Sequence, residues 1–238
     1  MTPILELQDL SFRYEGGLPG EKVLDALTFA VAPGERVGLV GCNGVGKSTL
    51  LKILVGILPI QAGALTVGGL PMERKNLAEI RRKVGYIFQD SDSQLFMPTV
   101  RADVAFSAEN YGYPPEEVAV RTRRALAAVH MEHCADRPVY RLSGGQKKLA
   151  SIAGILTLDP ALILMDEPSA ALDPRNRRAL IGILNALPCA KLIASHDLDF
   201  IYDTCDRVLL LHHGQLAADG PAREILRDKA LLERCELE

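Results

Sequence analysis

Apolar and polar positions follow two rhythms along the chain. Short, nearly unbroken apolar runs occur at Arg36–Val40, 84–88, 162–165, 192–194 and 208–211. Runs this short, filled on both sides, predict strands of a parallel sheet covered by helices. Between them, apolar residues recur at helical spacing. Leu180, Ile183, Leu184 and Leu187 form one stripe, with Asp173 placed as N-cap and Pro174 at the first helical position. Val118, Ala125, Leu126 and Val129 form another after Pro114-Pro115. The first third reads as β-rich, with turns expected at Gly16-Gly17, Pro33-Gly34 and Gly68-Gly69. Residues 92–159 read as mostly helical, and the end of the chain returns to alternating strand and helix. No internal repeat or low-complexity linker interrupts it. The expected architecture is one α/β domain over residues 1–238. Its mainly parallel core would comprise 1–91 and 160–238, β-rich towards the N-terminus, with 92–159 inserted as a helical subdomain.

Composition narrows the classes. The chain has 238 residues, 48% hydrophobic and 24% charged, so disorder is excluded as the dominant state. A net charge of −3 provides no global basic field, so no nucleic acid is expected as a partner. Cys42, Cys134, Cys189, Cys205 and Cys235 contain no C-x-x-C pair, which argues against a disulfide framework or zinc site and for a reducing compartment. The longest nearly apolar stretch, 149–165, is broken by Asp159-Pro160. It falls short of the about 20 residues of a spanning helix and reads as a buried helix followed by a buried strand. No direct membrane span is expected, and the opening MTPILELQDL has no charged-then-apolar signal layout. His130, His133 and Cys134 read as a polar helix end rather than a metal site, since no second cluster of ligands accompanies them. Arg81, Arg82 and Lys83, like Arg121, Arg123 and Arg124, read as solvated helix faces.

The chemistry begins at Gly41-Cys42-Asn43-Gly44-Val45-Gly46-Lys47-Ser48, which fits G-x-x-x-x-G-K-[ST] between the apolar run RVGLV and the helical run TLLKILVGI. That strand–loop–helix context is what a phosphate loop requires. Glycines let backbone N–H groups wrap phosphates without Cβ clashes, and the helix N-terminus favours anions. Lys47 would neutralise β- and γ-phosphates, Ser48 would ligate Mg²⁺, and Thr49 completes the nucleotide-binding set. The apolar run ending in Asp166-Glu167 places two carboxylates at the carboxyl edge of a sheet, where ligands bind. Asp166 is the expected Mg²⁺ holder and Glu167 the group that polarises the attacking water. Leu142-Ser143-Gly144-Gly145-Gln146, between these two motifs, is a second helix N-terminus suited to anions.

LSGGQ in that position resembles the signature of ATP-binding-cassette (ABC) ATPases, and the resemblance covers nearly the whole chain. Gln89 matches the family's Q-loop, a further Mg²⁺ contact and water sensor. Ala171-Leu172-Asp173 matches the D-loop, His196 the switch histidine, and Tyr14 the aromatic that stacks on adenine. The resemblance implies a P-loop NTPase core, ATP and Mg²⁺ as ligands, and two cassettes closing head to tail over two ATP molecules. Each ATP would touch the phosphate loop of one subunit and residues 142–146 of the other. Asp173 would link the two sites. With one copy of every motif, the chain needs a partner cassette, most simply a second copy of itself. Intact Lys47, Asp166, Glu167 and His196 argue against a scaffold with little turnover. ABC ATPases of DNA repair or translation usually carry paired cassettes or long coiled-coil insertions, for which there is no room.

A narrower resemblance lies in Gln89-Asp90-Ser91-Asp92-Ser93-Gln94-Leu95-Phe96 with TVRADVAF, and in SGGQKK, EPSAALDP and ASHDLDF. The first stretch looks like the extended Q-loop of energy-coupling-factor importers of transition metals or vitamins, and the second group looks closest to the cobalt and nickel members, with the vitamin importers much alike. Leu149-Ala150 depart from the Arg-Val usual after GGQKK. The resemblance implies ATP-driven import, a place on the cytoplasmic face of the membrane, a transmembrane coupling subunit and a substrate-binding membrane subunit. The coupling subunit would dock at 91–103, where Leu95, Phe96 and Met97 are apolar in an expected loop. Cys42, inside the phosphate loop, is expected to react with alkylating agents and to be protected by nucleotide.

Overall fold

A computed structural model describes residues 2–16 and 22–237. Two sheets form the framework. The first is antiparallel: β1 (Leu5–Phe12), β2 (Leu24–Val31), β4 (Ala62–Val67) and β5 (Leu70–Pro71) lie in the order β2-β1-β4-β5. The second contains β3 (Arg36–Val40), β6 (Val84–Ile87), β7 (Leu162–Asp166), β8 (Ala190–Ser195), β9 (Arg207–His212) and β10 (Gln215–Pro221) in the order β10-β9-β3-β8-β7-β6. All its pairings are parallel except β10 with β9. The five expected strands are thus present, within one or two residues at their ends. Of the turn at Gly16-Gly17, only Gly16 lies among the described residues, with a φ of +89°.

Helices connect the strands: α1 (Lys47–Leu54), α2 (Leu77–Lys83), α3 (Val100–Asn110), α4 (Pro115–Ala128), α5 (Gly144–Leu156), α6 (Pro174–Ala186), α7 (Leu198–Thr204), α8 (Ala222–Ile225) and α9 (Lys229–Arg234). Their starts follow local chemistry. Asp173 caps α6 by accepting the N–H groups of Arg175 and Asn176, with Pro174 first in the helix. Ser143 and Gln146 form a reciprocal capping box at α5. The stripe on α6 stops one residue early: Leu187 is extended and follows the helix. Arg121 departs from a solvated face. It packs over the Tyr113 ring at 4.1 Å and donates to the Thr157 carbonyl and the Asp159 carboxylate, tying α4 to the turn after α5. Arg81 likewise donates to the Val55 and Gly56 carbonyls at the end of α1. Cys134 is buried and accepts from Gln146 Nε2 at 3.8 Å.

Successive residues of the parallel strands enter two different cores. Leu162, Leu164, Leu192, Leu209 and Leu211 face α1 and the antiparallel sheet, whereas Ile163, Met165, Ile193, Val208 and Leu210 face α5, α6 and α7. This explains the unbroken apolar runs, since both faces exclude water. Gly38 lets α7 approach β3 closely: a Cβ there would lie 2.4 Å from Ile201 Cγ2. Among the described residues, no helix is long and apolar enough to cross a membrane.

Candidate functional site

Strand order brings the motifs together. Along the carboxyl edge, β3, β8, β7 and β6 are successive neighbours. They end at Val40, Ser195, Asp166 and Ile87, paired Val40 with Ser195, Asp166 with Ala194 and Ile87 with Met165. The phosphate loop, His196, Glu167 and Gln89 therefore emerge side by side. They border a cleft of about 490 Å³ lined by Tyr14, Val23, Asn43, Gly44, Gly46, Lys47, Ser48, Thr49, Gln89, Glu167 and His196.

The loop suits an anion. Gly44 and Gly46 have φ values of +82° and +111°, and a Cβ on Gly46 would meet the Val23 carbonyl at 2.9 Å. No side chain caps α1, so its first-turn N–H groups are left for a ligand. Gly41 and Val45 are buried beneath the loop, and Cys42 is partly exposed. Lys47 is buried, and burial lowers its pKa from the usual lysine value. Its ammonium donates to the carbonyls of Gly41 at 2.7 Å and Cys42 at 3.1 Å and lies 3.8 Å from Glu167 Oε1.

Ser48 Oγ donates to Asp166 Oδ1 at 3.0 Å. Burial pushes the Asp166 carboxyl up from its ordinary range, opposed by that hydrogen bond. A hydroxyl and a buried carboxylate side by side are hard oxygen donors, and a divalent cation would offset the unfavourable burial of charge. The residues present thus fit Mg²⁺, which is bound through one or two carboxylates together with phosphates.

Glu167 is held by its neighbours. Its φ of +45° places it in the left-handed region, at a cost of about 1–3 kcal/mol for a non-glycine residue. Ser195 Oγ donates to Oε2 at 2.9 Å, the His196 backbone N–H reaches the same atom at 3.4 Å, and His196 Nδ1 lies 2.9 Å from Oε1. A neutral His196 donating from Nδ1 presents Nε2 as an acceptor, and a protonated one presents Nε2–H. Tyr14 donates to or accepts from Thr49 Oγ1 at 3.0 Å, and its ring stands edge-on to Phe12.

Leu142, Ser143, Gly144, Gly145, Gln146 and Asp173 are not among the residues lining the cleft. Ser143, Gly144 and Asp173 are exposed, whereas Leu142 and Gly145 are buried. Gly145 allows α5 to approach α6: a Cβ there would meet Asn176 Cγ at 2.6 Å. Three contributors escaped the sequence reading. Val23 lines the cleft beside Gly46. Ser195 orients Glu167, and its signal was its place directly before His196. Lys148 is buried, donates to the Phe88 and Gln89 carbonyls at 2.9 Å each, and has its pKa lowered to about 8 by burial.

Comparison with known proteins accords with this geometry. The sequence profile of the family described as ABC transporter matches residues 24–170. An ABC transporter ATP-binding protein of Geobacter sulfurreducens is 45% identical over 99% of this chain and 93% of its own length. The energy-coupling factor transporter ATP-binding protein EcfA of Methanocaldococcus jannaschii is 40% identical over 98% of this chain and 85% of its own. The solved structure of cbiO1 from Clostridium perfringens, described as part of the ABC transporter complex cbiONQ, superposes with a TM-score of 0.87 at 33% identity. It covers 99% of this chain and 95% of that one.

Proposed function

The chain belongs to the ABC transporter ATP-binding family, and from that premise we propose that it is the ATP-hydrolysing motor subunit of an energy-coupling-factor importer for cobalt or nickel ions. Two similarities support the importer class: the one to EcfA and the one to cbiO1. The metal cargo is read from the motif resemblance at SGGQKK, EPSAALDP and ASHDLDF. A vitamin importer using the same kind of ATPase is the second reading, because its motifs would look much alike. In this reading the protein sits on the cytoplasmic face of the membrane, against a transmembrane coupling subunit and a substrate-binding membrane subunit. Residues 1–91 and 160–238 act as the nucleotide core and 92–159 as the helical subdomain. Supporting this division, every named strand lies outside 92–159.

The observation that carries the mechanism is the Glu167 carboxylate, held by Ser195 and His196 and 3.8 Å from Lys47 in a cleft floored by the phosphate loop. Lys47 and the uncapped N–H groups of α1 bind the β- and γ-phosphates of ATP, and Tyr14 stacks on adenine. Ser48, Asp166 and Gln89 would hold Mg²⁺, whose charge would offset that of the phosphate oxygens. Glu167 accepts a proton from the attacking water and His196 contacts the γ-phosphate. The exposed Ser143-Gly144 turn of a second copy closes the site from outside, and Asp173 connects the two sites. Cleavage and release of phosphate remove the charge joining the halves, so closure and opening can drive the membrane subunits.

The test is affinity purification of the chain from detergent-extracted membranes of its source cells, followed by uptake assays in vesicles. Co-purification with ATP-dependent cobalt or nickel uptake is expected. ATP-dependent uptake of a vitamin alone selects the second reading, and absence of any membrane partner contradicts both.

A further inference from the structure

The helix that begins with the signature also grips the loop that follows β6. Lys148 is only 3% exposed, and its ammonium donates to the carbonyls of Phe88 and Gln89, where β6 gives way to that loop. Its neighbour Lys147 pairs with Asp92, farther along the same loop. Both lysines lie within the first two turns of α5, directly after Gln146. The helix is seated tightly against β6, since a Cβ on Gly85 would lie 2.6 Å from Ile155 Cδ1. Burying an ammonium carries a desolvation cost, and an apolar side chain would fill the same space without it. Two backbone carbonyls answered by one charged group form a directional, charge-assisted link.

We propose that Lys148 is a positioning residue that locks the Gln89 backbone to the signature helix, with Lys147–Asp92 as an outer tether. Displacement of the loop at a chain's own cleft then moves the Ser143-Gly144 turn that the chain offers to a second copy. Conversely, engagement of that turn by the neighbouring copy resets Gln89. This rests on the reading that Gln89 serves the chain's own ATP and residues 142–146 serve the neighbour's.

The test is steady-state ATPase of the whole chain in four forms: wild type, Lys148→Met, Gln89→Ala and the double variant. Lys148→Met keeps the stem and removes the donors. It should lower kcat about tenfold with KM for ATP little changed, because misplacement of a catalytic group costs rate rather than ground-state binding. The double variant should be no slower than Gln89→Ala alone, and Lys148→Arg should recover most of the rate. As a route that spares the core, the exposed Asp92→Asn should lower kcat about twofold to threefold in wild type and not in Gln89→Ala. Losses that multiply in the double variants, or full kcat in Lys148→Met, overturn the proposal while leaving the role of Gln89 standing. Wild-type kcat in Gln89→Ala overturns the underlying reading, and the proposal with it.

Discussion

His196 Nδ1 and Glu167 Oε1 lie 2.9 Å apart at the ends of two neighbouring strands, so β7 and β8 together orient one carboxylate. Ser195 completes the arrangement from the other oxygen. Replacing His196 by Ala is expected to lower kcat by about 10²–10⁴ with ATP still bound. Ser195→Ala leaves Oε2 with only the longer backbone contact and is expected to cost about tenfold in kcat at similar KM. Steady-state ATPase with an independent ATP-binding titration checks both. Loss of binding in either variant would show that these groups support the cleft's fold instead of its chemistry.

Phe96 is 63% exposed, yet its position is firmly set. Its ring stands edge-on to Phe106 at 4.7 Å, and the buried Asp103 carboxylate accepts the N–H groups of Phe96 and Met97 at 2.8 and 2.7 Å. A fixed, exposed aromatic suits an interface anchor. Phe96→Asp should reduce co-purification with the membrane subunit at least tenfold, about 1.4 kcal/mol or more, with unchanged ATP binding and melting midpoint. Undiminished co-purification would remove Phe96 from the docking surface.

Cys42 is partly exposed within the loop, and its carbonyl accepts from Lys47. N-ethylmaleimide is expected to abolish ATP binding, with prior ATP protecting and Cys42→Ser resisting inactivation. ATPase activity that persists after mass spectrometry shows complete alkylation at Cys42 would contradict this.

Arg36, at the start of the strand leading to the phosphate loop, donates to both Asp206 oxygens at 2.8 and 2.6 Å. These bonds hold the Asp206 carboxyl below its ordinary value of 3.8. The folded form therefore binds its proton less readily than the unfolded chain does. The contribution is full above about pH 4 and fades as pH falls through the lower folded value. In urea unfolding, Asp206→Asn should cost about 0.5–1 kcal/mol at pH 7 and progressively less below pH 4, where the two proteins converge. A difference that stays constant to low pH would show that the charge is not what matters.

Much of the core was legible because its strands are buried on both faces and carry little but apolar residues. That same uniformity concealed which face each residue takes, since the alternation of Leu162 and Leu164 against Ile163 and Met165 has no polar marker. Strand order depends on long-range pairing and was not readable, nor was the antiparallel sheet beyond a β-rich tendency. The phosphate loop and Asp166-Glu167 were readable as motifs because phosphate chemistry demands particular side chains at fixed spacings, whereas Tyr14, Gln89 and His196 were placed by the family resemblance. Ser195 and Lys148 were missed because they act on other protein groups, a carboxylate and two carbonyls, which no local spacing reveals. Arg121 looked like a surface charge until Tyr113, Thr157 and Asp159 converged on it.

In the proposed mechanism each chain holds half of two ATP sites, and Ser143 and Gly144 are exposed and available to a second copy. The most direct measurement is sedimentation of Glu167→Gln, which should bind ATP but hydrolyse it slowly. With millimolar ATP and Mg²⁺ this arrangement gives a dimer that reverts to monomer when ATP is removed, and that fails to form when Ser143→Arg is added. A variant that stays monomeric with ATP demonstrably bound, or a dimer indifferent to Ser143→Arg, would contradict it.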